Sequence, residues 1–321
     1  MQELVRELDG AVVDYFHIDC NDDVSVFEDI KEIRKQSKTP VDVHIISSEP
    51  EKFYPLIMET AADLVTFQYE NLKRKPEIPK EIKSKLGLAI VSETDINVFS
   101  QYRDRFDFVL FMTTTPGKSG GTFNKENFKK IRDFQKLFPE KKIIVDGGVN
   151  ADISFVLRNM GVYAVVSGNY LVNADGIGNA LHNMRSNYYV PSGMHVSDVM
   201  LTREEVPVLN EHGTSFADVL NVIEKYNFGF TAVTEGNGKL SGLISNADVR
   251  KGLIRKINDL NSIEVKDLIN RKPISVYDDY TVTEMIEFIK NTRQNILYLL
   301  VVDRKNNLTG AMIFTNLIKG E

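Results

Sequence analysis

Two histidine–aspartate pairs stand at the ends of two apolar segments of the sequence. His17 and Asp19 close the first segment, and Asp42 and His44 close the second. Side chains of a β-strand alternate between faces, so two residues that are two positions apart lie on the same face. Asp146 ends a third apolar run, directly before two glycines. Beside the simpler interpretation as ordinary polar strand ends, this set predicts one site for zinc, ferrous iron or manganese, held by His17, Asp19, His44 and Asp146.

The elements that position these residues alternate between two apolar patterns up to about residue 186. Short apolar runs predict seven β-strands, at 14–19, 41–46, 63–67, 86–90, 107–112, 142–146 and 163–167. Helical spacing predicts helices between them, at 26–37, 51–61, 95–103, 124–137, 151–159 and 176–185. Strands that alternate with helices pair in parallel, and eight of them close a TIM (β/α)8 barrel. We therefore expect an α/β barrel of the TIM type that is one strand short, and the family resemblance described below implies that the missing strand is the first.

Glycine-rich loops follow the last three predicted strands. The segment TTTPGKSGGTF covers 113–123, Gly147 and Gly148 follow Asp146, and Ser167-Gly168-Asn169 follows the last strand. Glycine lets backbone N–H groups approach an anion closely, and barrels often bind phosphate with the loops after their last two strands. Turns also use glycine for geometry alone, but the order of these loops favours a phosphate site.

The second part of the chain contains an internal repeat. VSDVM at 196–200 is echoed by VKDLI at 265–269, and GKLSGLISNAD at 238–248 is echoed by NNLTGAMIFTN at 306–316. Each copy predicts a short strand, a helix (215–226 and 281–291), two further strands and a second helix. We therefore expect a barrel domain over 1–186, a linker over 187–193 and an α+β domain over 194–321. The two copies within that domain would cover about 194–256 and 262–321.

Composition narrows the class of protein. The chain has 42% hydrophobic and 26% charged residues, which is typical of a globular protein, and its formal net charge of −6 argues against binding to nucleic acid. No apolar run has the length of a membrane span, and the N-terminal segment is unlike a signal peptide. Cys20 is the only cysteine, which excludes an intrachain disulfide and favours a reducing compartment. These observations predict a cytoplasmic protein without a membrane partner.

Residues 1–185 resemble the ribulose-phosphate 3-epimerases, segment by segment. The similar motifs are HIDCND at 17–22, VDVHII at 41–46, MTTTPGKSGGTF at 112–123, VDGGVN at 145–150 and VSGNYL at 166–171. The resemblance implies that the metal ligands are His17, Asp19, His44 and Asp146. It also implies that Asp19 and Asp146 are the two acid/base groups. The residues that would surround the substrate phosphate are Gly120, Gly147, Gly148, Gly168 and Asn169.

The activity implied by this resemblance is epimerisation at C3 of a ketose phosphate. The substrate would be D-ribulose 5-phosphate, D-xylulose 5-phosphate or a longer ketose phosphate. One carboxylate would remove the proton beside the ketone, and the other would return a proton to the opposite face. One divalent metal ion would stabilise the enediolate as a Lewis acid, and no organic cofactor is expected. Asp42 points inward one layer deeper, so we expect it to act indirectly.

The repeats resemble the tandem CBS domains attached to arabinose-phosphate isomerases and sugar nucleotidyltransferases. In CBS pairs an Asp that closes a GxxSxxD pattern commonly holds a ligand ribose. Ser245 and Asp248 match that pattern, whereas Ile313 and Asn316 stand at these positions in the second copy. The implied partner is an adenine or cytidine nucleotide or a nucleotide-activated sugar, bound in the first copy. Alternatively, the pair serves only as a surface for assembly into a homo-oligomer.

Two other functions remain open for the barrel. It could be another phosphate-binding barrel lyase, although such enzymes commonly use a Lys–Asp array and no predicted strand before residue 140 ends in one. It could also be a catalytically inactive barrel that acts as a nucleotide-responsive scaffold, which would be consistent with the missing strand. Metal content separates the enzyme from the scaffold, because an intact ligand set retains about one divalent ion per chain.

Overall fold

The computed structural model describes residues 2–117, 120–186, 189, 191–292 and 296–313. The contacts between residues divide the chain into two compact units, residues 1–189 and 190–321. Among the helices of the described residues, none combines the length and the apolarity that a bilayer span requires. Asn316, which was singled out in the second repeat, lies outside the described residues.

The first unit contains one parallel sheet in which seven strands follow one another in chain order. The strands are β1 (Phe16–Cys20), β2 (Val41–Ile45), β3 (Leu64–Gln68), β4 (Lys85–Val91), β5 (Phe108–Met112), β6 (Lys142–Asp146) and β7 (Ala164–Val166). This order confirms the predicted strands and the α/β class. Among the described residues no ladder joins β1 to β7, so the sheet is a nearly closed barrel with one gap.

Helices cover the outside of this sheet. They are α1 (Gln2–Gly10), α2 (Val26–Gln36), α3 (Tyr54–Thr60), α4 (Asn127–Leu137), α5 (Ala151–Asn159), α6 (Asn169–Val172) and α7 (Ile177–Arg185). The helix α1 contacts both α2 and α7. The α-helix predicted over 95–103 is a 3₁₀ helix at Ile96–Gln101, a form that short connecting segments often adopt. The helix predicted from residue 51 begins as a 3₁₀ turn at Pro50–Phe53 and continues into α3.

The interior of the barrel is filled by large apolar side chains below the strand ends. Phe108 is buried in a cluster with Leu64, Ala89 and Ile144. A Cβ atom built on Gly87 would lie 2.1 Å from Cε2 of Phe108, so glycine at this position makes room for the ring. Buried parallel strands are apolar on both faces. Polar side chains inside the barrel are therefore exceptions that need a specific explanation.

The described residues of the second unit confirm the predicted repeat, except that the second helix predicted for the second copy lies outside the described residues. Its first copy contains α8 (Val196–Val199), β8 (Leu201–Thr202), β9 (Val208–Asn210), α9 (Phe216–Tyr226), β10 (Phe230–Thr234), β11 (Leu240–Ser245) and α10 (Asn246–Arg255). The second copy contains β12 (Ser275–Tyr277), α11 (Val282–Asn291), β13 (Tyr298–Val302) and β14 (Leu308–Ile313). The sheets are ordered β11-β10-β9 and β12-β13-β14-β8. One apolar cluster joins Phe230 and Leu243 of the first copy to Leu300 and Leu308 of the second, so the copies share a core.

Candidate metal and substrate site

The inward-facing polar residues of β1 and β2 are brought together by the register of the two strands. His17 pairs with Asp42, and Asp19 pairs with His44, in the parallel ladder. Because residues two apart share a face, all four side chains enter the barrel at its carboxyl end. Asp146 ends β6, the sixth strand in the sheet order. The strands therefore deliver imidazoles and carboxylates to one end of the barrel, where TIM barrels carry their active sites.

Three of the four predicted metal ligands form a compact group. One ligand atom each from His17, Asp19 and His44 lies within 4.8 Å of the other two. Oδ1 of Asp19 is 3.1 Å from Nδ1 of His44 and 3.4 Å from Nε2 of His17. The Asp146 carboxylate lies next to this group, with Oδ2 3.9 Å from Nε2 of His17.

His17 presents an imidazole nitrogen that has no hydrogen-bond partner among the described residues. Its Nδ1 lies 2.8 Å from Oδ2 of Asp42, and a carboxylate can only accept, so Nδ1 carries the proton. Its Nε2 is buried and makes no hydrogen bond. In the neutral ring that atom holds a lone pair directed towards Asp19 and Asp146. An unpaired buried nitrogen next to two carboxylates fits a divalent ion, and the donor set of imidazoles and carboxylates suits zinc, iron or manganese.

His44 is held in place by Gln68, which was not predicted as a site residue. Its Nε2 lies 2.8 Å from Oε1 of Gln68, so Nδ1 is the atom that faces Asp19. His44 and Gln68 are 0% and 1% exposed, respectively. Thr66, also fully buried, lies 3.4 Å from Oδ1 of Asp42. The signal for both residues was present, since 66 and 68 are polar positions two apart on an otherwise apolar strand.

The carboxylates affect the charge on His17 and on each other. Burial opposes a charged His17, but Asp42, Asp19 and Asp146 together hold its pKa well above the ordinary value. Burial also acts to raise the pKa of Asp19, but the interactions with the nearby imidazoles of His17 and His44 outweigh it and lower that pKa. For Asp146 burial prevails, and the neighbouring charge of Asp19 adds to it, so its pKa is raised. The two predicted acid/base groups therefore differ in their preferred protonation states.

A cavity of about 480 Å³ opens above this group. His17, Asp19 and Asp146 line it, whereas the fully buried His44 lies behind them. The predicted phosphate residues line the same cavity: Gly120, Gly147, Gly148, Gly168 and Asn169. All predicted substrate-binding groups of the barrel thus surround one space, which also includes Thr114, Ser167, Asn150 and Tyr170, none of which was predicted as a site residue.

Two of these glycines have a backbone that other residues would strain. Gly147 has a φ of 111°, and a Cβ atom built there would lie 2.5 Å from Oγ1 of Thr114. Gly148 has a φ of 64°, and its Cβ atom would lie 2.4 Å from the backbone nitrogen of Phe123. The loop after β6 therefore packs directly against the loop after β5, and glycine permits that approach.

In the second unit, Ser245 and Asp248 are hydrogen-bonded to each other at the start of α10. Asp248 Oδ2 accepts from the backbone N–H of Ser245 at 3.0 Å and from its hydroxyl at 2.6 Å. This reciprocal arrangement is a capping box, so the pair already has a role in helix initiation. Asp248 Oδ1 lies 3.6 Å from Nζ of Lys251. Burial raises the pKa of Tyr298, from the second repeat, and a hydrogen bond with Ser245 partly offsets that effect.

Relatives of known name match the first part of the chain. The ribulose-phosphate 3-epimerase of Bacillus subtilis is 28% identical over 178 residues, which cover 51% of this chain and 82% of the relative. The enzyme of the same name from Methanocaldococcus jannaschii is 29% identical over 198 residues, covering 58% of this chain and 84% of the relative. The chloroplastic ribulose-5-phosphate-3-epimerase of Arabidopsis thaliana is 27% identical over 199 residues, or 57% and 71% of the two chains.

Two family models match the chain. The model of the ribulose-phosphate 3 epimerase family covers residues 1–172, and the CBS domain model covers residues 196–255 and 265–319. Among solved structures, the crystal structure of CBSX2 in complex with AMP is 25% identical, with a TM-score of 0.34, and the match covers 40% of this chain and 95% of that one. The likeness of the repeats to those of arabinose-phosphate isomerases stays a prediction from the motifs. Because the first model spans more than half of the 321 residues, the chain belongs to the ribulose-phosphate 3 epimerase family and also carries tandem CBS domains.

Proposed function

We propose that the chain is a metal-dependent isomerase that epimerises C3 of a ketose phosphate. The observation that carries this proposal is the buried Nε2 of His17, which has no hydrogen-bond partner among the described residues and faces Asp19 and Asp146. Leaving a buried polar atom unpaired costs free energy unless a ligand compensates it. In this proposal His17, Asp19, His44 and Asp146 hold one divalent ion, with zinc, ferrous iron and manganese as candidates.

The bound ion would supply positive charge next to the ketone and hydroxyl oxygens of the substrate, which stabilises the enediolate. Asp19 and Asp146 belong to strands β1 and β6, so their carboxylates approach the cavity from different strands. The lowered pKa of Asp19 supports its role as the group that accepts a proton, and the raised pKa of Asp146 supports its role as donor. These roles exchange when the reaction runs in the opposite direction.

The phosphate of the substrate would occupy the other end of the cavity. Its proposed ligands are backbone and side-chain groups of Gly120, Gly147, Gly148, Gly168 and Asn169. No lysine or arginine is among the described residues that line this cavity. Backbone N–H groups of these loops would bind the phosphate.

The test is a panel of pentulose, hexulose and heptulose phosphates in heavy water with the zinc-, iron- or manganese-loaded protein. The expected result is entry of deuterium at C3 together with formation of the C3 epimer. The matched controls are Asp19→Asn and Asp146→Asn, which keep the size of each side chain. Cleavage or decarboxylation of the sugar would instead identify a lyase. If no substrate exchanges its C3 proton although the protein retains metal, the barrel is an inactive scaffold.

We further propose that the CBS pair, over about 194–321, binds an adenine or cytidine nucleotide or a nucleotide-activated sugar. The ribose would contact Asp248 in the first copy, where Ser245 and Tyr298 lie close by. Such binding would alter epimerase activity or assembly into homo-oligomers. Size-exclusion chromatography and epimerase assays with and without each nucleotide test this second proposal. Unchanged activity and assembly at saturating nucleotide would contradict it.

A further inference from the structure

A chain of hydrogen bonds runs from His44 to the outside of the barrel. His44 Nε2 contacts Oε1 of Gln68 at 2.8 Å, and Nε2 of Gln68 donates to Oε2 of Glu70. We propose that Gln68, oriented by Glu70, is a positioning residue that keeps the proton of His44 on Nε2 and leaves Nδ1 free to bind metal. The part of this inference that concerns metal rests on the proposed function, whereas the part that concerns the proton position does not.

The direction of this chain follows from donor and acceptor chemistry. A carboxylate can only accept hydrogen bonds, so Glu70 requires the NH2 group of Gln68. That leaves the amide oxygen of Gln68 facing His44, and this buried acceptor requires a proton on His44 Nε2. Oδ1 of Asp19 is the acceptor on the other side of the ring, 3.1 Å from Nδ1, but the Asp19 side chain is 36% exposed, so water can replace the imidazole as its donor. Gln68 is 1% exposed, so turning the amide over would leave its oxygen facing the Glu70 carboxylate, two acceptors with no donor between them. Glu70 thereby fixes the orientation of the Gln68 amide, and the amide fixes the tautomer of His44, a proposed metal ligand.

Glu70 is held in place by strand β4 and the loop after it. Its Oε1 accepts from the backbone N–H of Val91 at 3.1 Å and from the hydroxyl of Thr94. The same loop is fixed by Lys130 of α4, whose Nζ lies 2.6 Å from the carbonyl oxygen of Val91 and 2.5 Å from that of Thr94. Both carboxylate oxygens of Glu70 are thus occupied, one by the loop and one by Gln68.

Glu70→Gln separates these roles. The new side chain has one acceptor oxygen, and the N–H of Val91 and the Thr94 hydroxyl both require it. Its NH2 group then faces the NH2 group of Gln68, so the Gln68 amide turns over and presents NH2 to His44. His44 Nε2 must now accept, and its proton moves to Nδ1, the atom 3.1 Å from Asp19 Oδ1. A protonated Nδ1 cannot bind metal.

The double substitution Gln68→Glu with Glu70→Gln restores every hydrogen bond. The carboxylate at position 68 accepts from His44 Nε2 and from the new amide at position 70. That amide keeps its oxygen directed at Val91 and Thr94. Wild type and the swap have the same total charge in this segment, and in both the proton of His44 is expected on Nε2. In Glu70→Gln it is expected on Nδ1.

The proton position is read by nitrogen NMR of protein labelled at its five histidines, with His44→Gln used to assign the signals. In the metal-free protein at about pH 9, well above the ordinary histidine pKa, His44 Nε2 should be protonated in wild type and in the swap. It should be unprotonated in Glu70→Gln. Zinc affinity, measured by chelator competition, should fall about 10- to 100-fold in Glu70→Gln. The swap should bind zinc at least as tightly as wild type, because a carboxylate partner raises the basicity of the imidazole.

The outcomes separate this inference from the proposed function. A proton that stays on Nε2 in Glu70→Gln, or a swap whose zinc affinity stays as low as that of Glu70→Gln, overturns the inference. If Glu70→Gln does not fold, the swap decides alone, since loss of zinc binding in a folded swap contradicts the proposal. A wild-type chain that binds no divalent metal but shows the expected proton positions would refute the proposed function and leave the inference standing.

Discussion

Asp42→Asn should weaken metal binding without a direct change to any metal ligand. Asp42 is 3% exposed, and its carboxylate accepts a hydrogen bond from His17 Nδ1 at 2.8 Å. Asparagine keeps that acceptor and therefore the tautomer, but it loses the charge. A hydrogen bond to a charged group contributes about 1.5–3 kcal/mol and a neutral one about 0.5–1.5 kcal/mol. The difference of about 1–1.5 kcal/mol corresponds to a loss of up to about tenfold in zinc affinity.

Asp42→Leu is the matched harsher change. It leaves the buried Nδ1 of His17 without a partner, which adds a penalty of about 1–3 kcal/mol for the unsatisfied N–H group. Chelator competition at about pH 8.5 should therefore rank zinc affinity as wild type, then Asn, then Leu, and a thermal unfolding curve for each variant controls for folding. Equal affinity of Asp42→Asn and wild type at that pH would refute the argument.

The pH dependence gives a second check with a defined sign. Burial lowers the pKa of His17, but Asp42 and the other two carboxylates raise it further, so the net shift is upward. A proton on His17 competes with metal, so zinc affinity of the wild type rises with pH through this raised pKa. Removing the charge of Asp42 lowers that pKa and weakens the competition. The difference in zinc affinity between wild type and Asp42→Asn should therefore become smaller as the pH falls. A difference that becomes larger would contradict the argument that Asp42 raises the pKa of His17.

Three further predictions address catalysis, packing and the CBS pair. Asp19→Asn and Asp146→Asn should each reduce turnover at saturating metal by at least about 10²-fold, as measured by epimer formation, and near wild-type turnover would exclude that residue as a proton carrier. Gly87→Ala should destabilise the barrel by about 1–3 kcal/mol in urea unfolding because its Cβ meets Phe108, and Phe108→Leu should recover part of the loss. Asp248→Asn keeps the helix cap and should weaken nucleotide binding in calorimetry, whereas equal binding would leave only a structural role.

The strands of the barrel were predictable because each is a short apolar run bounded by polar turns. Both ends of each predicted barrel strand lie within two residues of the ends of an observed strand. The 3₁₀ helix at Ile96–Gln101 was mistaken for an α-helix because apolar residues at 96, 98 and 99 fit both forms over so short a segment. Sequence spacing does not show whether a hydrogen bond reaches back three residues or four.

The group of His17, Asp19 and His44 was predictable from residue types and alternation, but its hydrogen bonds to other residues were not. His17 and Asp42 are 25 residues apart in sequence, and only the ladder register brings them opposite each other. Gln68 was missed because the predicted strand ended at residue 67, so the polar positions 66 and 68 were not recognised as two residues on one face of the strand. The occupation of Ser245 by a capping box was likewise not anticipated, although a Ser and an Asp three positions apart are a known signal for one.

The same arrangement of contacts occurs twice across the neighbouring strands β1, β2 and β3, at two levels inside the barrel. In the deeper level, Asp42 of β2 contacts His17 of β1 and Thr66 of β3. In the upper level, His44 of β2 contacts Asp19 of β1 and Gln68 of β3. Each imidazole therefore has one nitrogen fixed by an adjacent strand and the other directed at the same point. Because the ladder sets this geometry, a metal ion would cost little conformational entropy on binding, and the barrel itself would preorganise the proposed ligands.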